Sequence, residues 1–131
     1  MELRAVGVVR SPTVDRAAAP RQGDEGAPRT TIEFVPGVAA ALAGLAAGAE
    51  VLVLTWLHLA DREVLAVHPR DDTSRPLTGV FATRSSDRPN PIGLHRVRIV
   101  AVDDLVMTVD DLEAVDGTPV LDVKPVLTRE R

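Results

Sequence analysis

The chain has 131 residues, 45% of them hydrophobic and 2% aromatic, with a formal net charge of −4. That length reads as one domain, 1–131, able to bury a core without covalent staples. It has no cysteine, which excludes disulfides, zinc–thiolate centres and thiol nucleophiles, and its acidic balance argues against a generic nucleic-acid coat.

In chain order, Leu3 to Val9 alternates loosely and ends β-branched, as a first strand does. Arg10 to Arg29, rich in Pro, Gly, Ala and charge, reads as a loop of about twenty residues, beyond the usual connection length. Thr30 to Phe34 is a short strand. Pro36 opens the one short helix, with Val38, Leu42 and Leu45 on it and Gly44 and Gly48 ending it. Val51 to His58 is a near-continuous apolar strand, the pattern of one covered on both faces. Glu63 to His68 is another strand, Arg70 to Arg75 a polar turn, and Leu77 to Thr83 and Leu94 to Val102 two further strands. Asp103-Asp104 turns the chain into a strand from Leu105 to Leu112. Val115-Asp116-Gly117-Thr118-Pro119 is a strong turn signal, and Val120 to Val123 closes. Many short strands with frequent turns and one helix predict a mostly β fold, a barrel. With only Phe34, Trp56 and Phe81 as aromatics, its core must be Val, Leu, Ala and Ile.

Met1-Glu2-Leu3-Arg4 lacks the basic start and long apolar run of a signal peptide, and Val51 to Leu59 is too short to span a bilayer. A cytoplasmic protein with no membrane association is the expectation. The three histidines, His58, His68 and His95, show no metal-ligand spacing, so no metal site is expected. His58, at the end of the apolar strand, is the functional candidate; His68 and His95 read as non-functional. No glycine-rich phosphate loop and no nucleophile elbow is present.

The most informative stretch is Gly79 to Gly93, Gly-Val-Phe-Ala-Thr-Arg-Ser-Ser-Asp-Arg-Pro-Asn-Pro-Ile-Gly. Pro89 and Pro91 fix φ and donate no N–H, so they stiffen a loop outside any ladder. From Arg75 to Arg98 there are five arginines and one acid, a net of +4, which leaves −8 for the remainder. By residue type the stretch reads equally as a rigid cationic ligand loop and as a tight crossing with solvated arginines. Asp116-Gly117-Thr118-Pro119 is either an ordinary turn or one that offers its backbone to a ligand, and Pro20-Arg21-Gln22 is a solvated loop by default.

Taken together, Gly7-Val8-Val9-Arg10-Ser11-Pro12, Pro20-Arg21-Gln22, Gly79 to Gly93, and Asp116 to Pro125 resemble the TsaA-like, or TrmO, family. These are S-adenosylmethionine-dependent methyltransferases acting on N6 of threonylcarbamoyladenosine in tRNA. The resemblance implies a small single-sheet β-barrel working as a homodimer. It implies cofactor contacts at Pro20, Arg21, Gln22, His58, Leu59, Arg84, Leu94, Val115, Asp116, Gly117 and Thr118. Leu94 and the turn would act mainly through backbone groups. His58 and Asp116 are the candidate proton acceptors; Arg88 either stabilises the loop or reaches an acidic substrate. The departures are Thr13 where Tyr is common, Leu59 where Gln is common, and His95 where Ser is typical. Bacterial relatives often carry an extra C-terminal domain; with the sequence read to Arg131, no such extension is the expectation. Two alternatives to the tRNA reading are a methyltransferase acting on a small amide or ureido nitrogen, and a non-catalytic cofactor-binding module.

Overall fold

The computed structural model describes residues 1–12 and 29–130. Its strands are β1 (Gly7–Arg10), β2 (Thr30–Phe34), β3 (Glu50–Trp56), β4 (Ala66–Val67), β5 (Thr78–Gly79), β6 (Ile92–Asp103), β7 (Val106–Asp110) and β8 (Pro119–Pro125). Six of them close into one antiparallel barrel in the order β1-β2-β7-β6-β3-β8, while β4 and β5 pair as a separate two-stranded ribbon. The mostly β, single-sheet barrel expected from the sequence is the observed architecture. Among the described residues no helix is long and apolar enough to cross a membrane.

Closure leaves each strand one inner and one outer face, so burial alternates along it. Along β6 the buried residues are Gly93, His95, Val97 and Ile99, and the exposed ones Ile92, Leu94, Arg96 and Arg98. Val9, Ile32, Val53, Val97, Met107 and Val120 fill the centre, and Phe34 is the only aromatic in the core. β-branched side chains suit this interior because they pack on a pleated surface at little rotamer cost.

Several segments differ from expectation. β1 starts at Gly7, with Leu3 exposed. β3 alternates rather than being covered on both faces: Val51, Val53 and Thr55 point in, and Leu52, Leu54 and Trp56 are half-buried outside. The expected strands Glu63–His68 and Leu77–Thr83 shrink to β4 and β5. After Gly79 the chain curls into a 3₁₀ turn at Val80–Ala82, because the Arg88 side chain takes the Val80 and Thr83 carbonyls out of reach of a ladder. The helix opened by Pro36 is wound as 3₁₀ over Pro36–Leu42, with proline in its first turn and no side-chain cap. A run this short does not offset the cost of nucleating an α-helix, and Val38, Leu42 and Leu45 hold it against the core.

The register decides where function can sit. Thr55↔Gly93, Thr55↔Val120, Val8↔Pro119, Arg10↔Thr31 and Thr30↔Val109 place the C-terminal ends of β1, β3 and β7 beside the N-terminal ends of β2, β6 and β8. These strand ends lie at one end of the barrel, called here the upper end, and the described connections 57–91 and 111–118 leave from it.

Candidate functional site at the upper end of the barrel

His58 and Leu59 lie in the turn that follows β3, closed by the Ala60 N–H donating to the Leu57 carbonyl at 3.0 Å. His58 is exposed there, not the end of a buried strand, because β3 stops at Trp56. Arg84 is exposed and makes no hydrogen bond or ion pair among the described residues. Leu94 turns its side chain outward on β6, opposite Leu54. Val115 and Thr118 are buried, Asp116 and Gly117 half-buried. Pro20, Arg21, Gln22 and Thr13 lie outside the described residues. The described candidates thus come from two connections, 57–91 and 111–118, and from Leu94 near the start of β6, all toward the same end of the barrel.

The backbone of Leu94 has a particular setting. The Leu57 N–H donates to Pro91 O and the Ile99 N–H to Ala49 O, so the odd-numbered residues of β6 exchange bonds with the β3 side. By the alternation of an antiparallel ladder, Leu94 turns its N–H and C=O to the opposite edge. There β7 has already ended, since its pairing with β6 stops at Arg98↔Asp110. Leu94 can therefore offer both backbone groups to a ligand without breaking a ladder.

The central loop is built around one guanidinium. Arg88 Nε donates to Ser85 O at 2.7 Å, and Nη2 donates to Val80 O and Thr83 O, each at 2.6 Å. Arg88 thus braces the loop, the first of the two roles the sequence left open. Its neighbours tie the loop to the turn after β3. Asp87 Oδ1 accepts from the Asp61 N–H at 2.8 Å, and Arg62 donates to Pro89 O at 2.7 Å and to Asn90 Oδ1 at 3.0 Å. Arg62 also lies 5.0 Å from the Trp56 ring centroid, a cation–π distance. The two prolines stiffen a loop that these bonds then dock, and Arg84 projects from the arc between two anchored carbonyls.

The closing turn is fastened to β1. Gly117 has φ of +84°, a conformation that favours glycine, and Thr118 N–H and Oγ1 both donate to Val115 O, at 3.2 and 2.7 Å. Gly117 N–H donates to Val9 O at 2.8 Å, Val9 N–H to Thr118 O at 2.9 Å, and the Ser11 N–H to Asp116 Oδ1 at 3.1 Å. Nearby, Arg29 donates to both Asp110 carboxylate oxygens, at 2.8 and 3.3 Å. Those bonds hold the Asp110 carboxyl below its ordinary value and raise the guanidinium above its own.

Sequence reasoning set His95 aside, and the structure gives it a different standing. It points into the barrel, 4% exposed, with Nε2 2.6 Å from Thr55 Oγ1 and Nδ1 2.6 Å from Glu113 Oε1. The sequence signal was faint: two polar residues, Thr55 and His95, at inward positions of otherwise apolar alternation. Hydroxyl, imidazole and carboxylate stand in the order of a nucleophilic triad, but Thr55 is 0% exposed, so no substrate reaches it. Among the described residues no group of His, Asp and Glu could hold a metal ion.

The barrel, its upper-end connections and the central loop together are matched by one family model, that of the tRNA-methyltransferase O N-terminal domain, over residues 8–130. The chain belongs to that family. It is 43% identical over 125 residues to a probable S-adenosyl-L-methionine-binding protein of Methanothermobacter thermautotrophicus, covering 95% of this chain and 89% of that one. An S-adenosyl-L-methionine-binding protein of Archaeoglobus fulgidus is 40% identical over 124 residues, covering 95% and 88%. Among solved structures, TrmO from Pseudomonas aeruginosa superposes with a TM-score of 0.77 at 32% identity, covering 98% of this chain and 57% of that one. The chain thus spans a little over half the length of that TrmO.

Proposed function

We propose that this domain binds S-adenosylmethionine at the upper end of the barrel and directs its methyl group to a nitrogen acceptor, N6 of threonylcarbamoyladenosine in tRNA. The observation that carries the reading is the convergence of Arg84, the open backbone edge at Leu94, the His58–Leu59 turn and the Val115–Thr118 turn on one end of a TrmO-family barrel. The residues suit the cofactor. Arg84 is an exposed cation suited to a carboxylate. Leu94 presents a directional donor and acceptor of the kind an adenine edge needs. A Cβ placed on Gly117 would meet no atom within 4 Å, so a ligand can approach its backbone closely.

The cofactor supplies a methyl group already activated on a sulfonium. The chain's part is to fix distance and alignment and to exclude water. His58 and Asp116 are the candidate acceptors for the proton of the methylated nitrogen. His58 is exposed in its turn, whereas one Asp116 oxygen is engaged by Ser11, so His58 is the better placed. Phe81, 86% exposed on the central loop ahead of Arg84, offers the aromatic face beside a cation that single-stranded RNA recognition uses. The net charge of −4 favours the second reading, a small amide or ureido acceptor.

Calorimetry with S-adenosylmethionine tests the binding step, and labelled-methyl transfer to bulk tRNA carrying threonylcarbamoyladenosine tests the acceptor. No heat at millimolar cofactor would sink the proposal. Binding without transfer to that tRNA would leave the small-acceptor reading. Arg84→Ala is expected to weaken binding by about 1.5–3 kcal/mol, the range for a hydrogen bond to a charged group, with an unchanged melting temperature. Unaltered affinity would remove Arg84 from the site.

The homodimer implied by the family resemblance has a candidate face. Leu52, Leu54 and Trp56 of β3 stand outward beside Ile92 and Leu94 of β6, with Arg96 and Glu50, paired at 2.9 Å, on the rim. Leu54→Lys should shift the protein to monomer in sedimentation equilibrium. A wild type that is already monomeric rules this face out.

A further inference from the structure

Two polar side chains, Thr55 and His95, sit in the apolar interior just below the upper end, and the partly buried Glu113 joins them, the three linked by two contacts of 2.6 Å. Burying polar groups among valines is costly unless every group is paired. Here the pairing is incomplete, because Glu113 Oε2 is buried without a partner among the described residues. An apolar trio would fill the same space without that penalty. Room is also reserved for it: Gly93 lies against the contact, and a Cβ there would overlap Thr55 Oγ1 and come 2.6 Å from His95 Nε2.

The connectivity indicates what the trio does. Thr55 leads into Leu57–Leu59, His95 follows Leu94, and Glu113 leads into Val115–Thr118. Between the upper half of β6 and residues 111–118 no strand pairing exists, since the β6–β7 ladder stops at Arg98↔Asp110. The imidazole crosses that gap, and its other nitrogen reaches β3.

We propose that His95 is a positioning residue: with Thr55 and Glu113 it forms a buried strut that sets the spacing of the three described segments offered above as cofactor contacts. This rests on the cofactor reading and extends it to residues that touch no ligand. The strut acts across the gap between β6 and residues 111–118, which no backbone ladder spans. Its loss therefore loosens the site more than it loosens the barrel.

The test measures S-adenosylmethionine affinity and melting temperature for the wild type, Thr55→Val, Glu113→Gln and a control, Val51→Ala, which opens a cavity at the lower end of β3. Thr55→Val and Glu113→Gln are expected to lose about tenfold in affinity, the worth of one buried hydrogen bond. Val51→Ala, with an equal or greater loss of melting temperature, is expected to keep wild-type affinity. The imidazole nitrogen resonances of His95 in the wild type are expected to move when the cofactor saturates the site. If the wild type binds and the strut variants bind as the control does, the strut is only structural and the inference fails while the cofactor reading stands. If the wild type does not bind, both fail. Should the strut variants not fold, unmoved His95 resonances at saturation would overturn the inference alone.

Discussion

Gly93→Ala is expected to destabilise the barrel by about 2–5 kcal/mol, a large part of a small domain's stability. Gly93 lies on the inner face of β6, opposite Thr55. Its missing side chain leaves the space in which Thr55 and His95 meet, and Leu57 Cδ2 closes that space at 3.1 Å from where a Cβ would stand. A methyl group there must push apart a buried contact flanked by strand backbone. Overpacking alone costs about 1–3 kcal/mol, and leaving a buried hydrogen-bonding group unpaired adds about as much. Gly37→Ala is the control, since a Cβ there meets nothing within 4 Å. It should be neutral or slightly stabilising, because alanine restricts the unfolded chain. Urea melts of the two variants decide the matter: equal midpoints would mean that the crowding at Gly93 relaxes freely.

Arg88→Ala is expected to release the central loop at a cost of about 2–4 kcal/mol, more than one charge-assisted hydrogen bond is worth and less than three taken additively. Its guanidinium bonds to three carbonyls at 2.6 to 2.7 Å, all within the arc Val80 to Ser85. A lysine ammonium is a point charge and cannot reproduce that planar fork, so Arg88→Lys should recover little. The comparison with Arg84→Ala is the informative one. Arg84 sits on the same arc but bonds nothing described, so its loss should weaken ligand binding without lowering the melting temperature. Loss of Arg88 should lower both and speed amide exchange of residues 83–90. If Arg88→Ala melts as the wild type does and keeps slow exchange there, the loop is held by its prolines alone.

The two arginines also show where sequence reading stops. Both lie in one cationic segment between strands, and composition assigns them the same two readings. They separate only when the backbone has curled and one guanidinium finds itself at the centre of the curl. The same curl shortened the strand expected from Leu77 to Thr83: those residues carry strand propensity, but a side chain eight positions away competes for their carbonyls. His58 was placed at a strand end because the apolar run reaches it, and the structure ends β3 at Trp56, where the Leu57 N–H turns to Pro91 O.

By itself the sequence determined the barrel, its largely aliphatic core, its turns at Asp103-Asp104 and Asp116-Gly117, and the family. Those follow from alternation, glycine and proline placement and contiguous motifs, all of which are local along the chain. Tertiary structure alone decided that connections 57–91 and 111–118 share one end, that Leu94 faces an unpaired edge, that Arg88 is scaffold, and that His95 bridges Thr55 and Glu113. Each of these depends on register or on a contact between residues distant in sequence. A shift of one residue in a ladder reverses which side chains point inward, and no local pattern records which partner lies across the barrel.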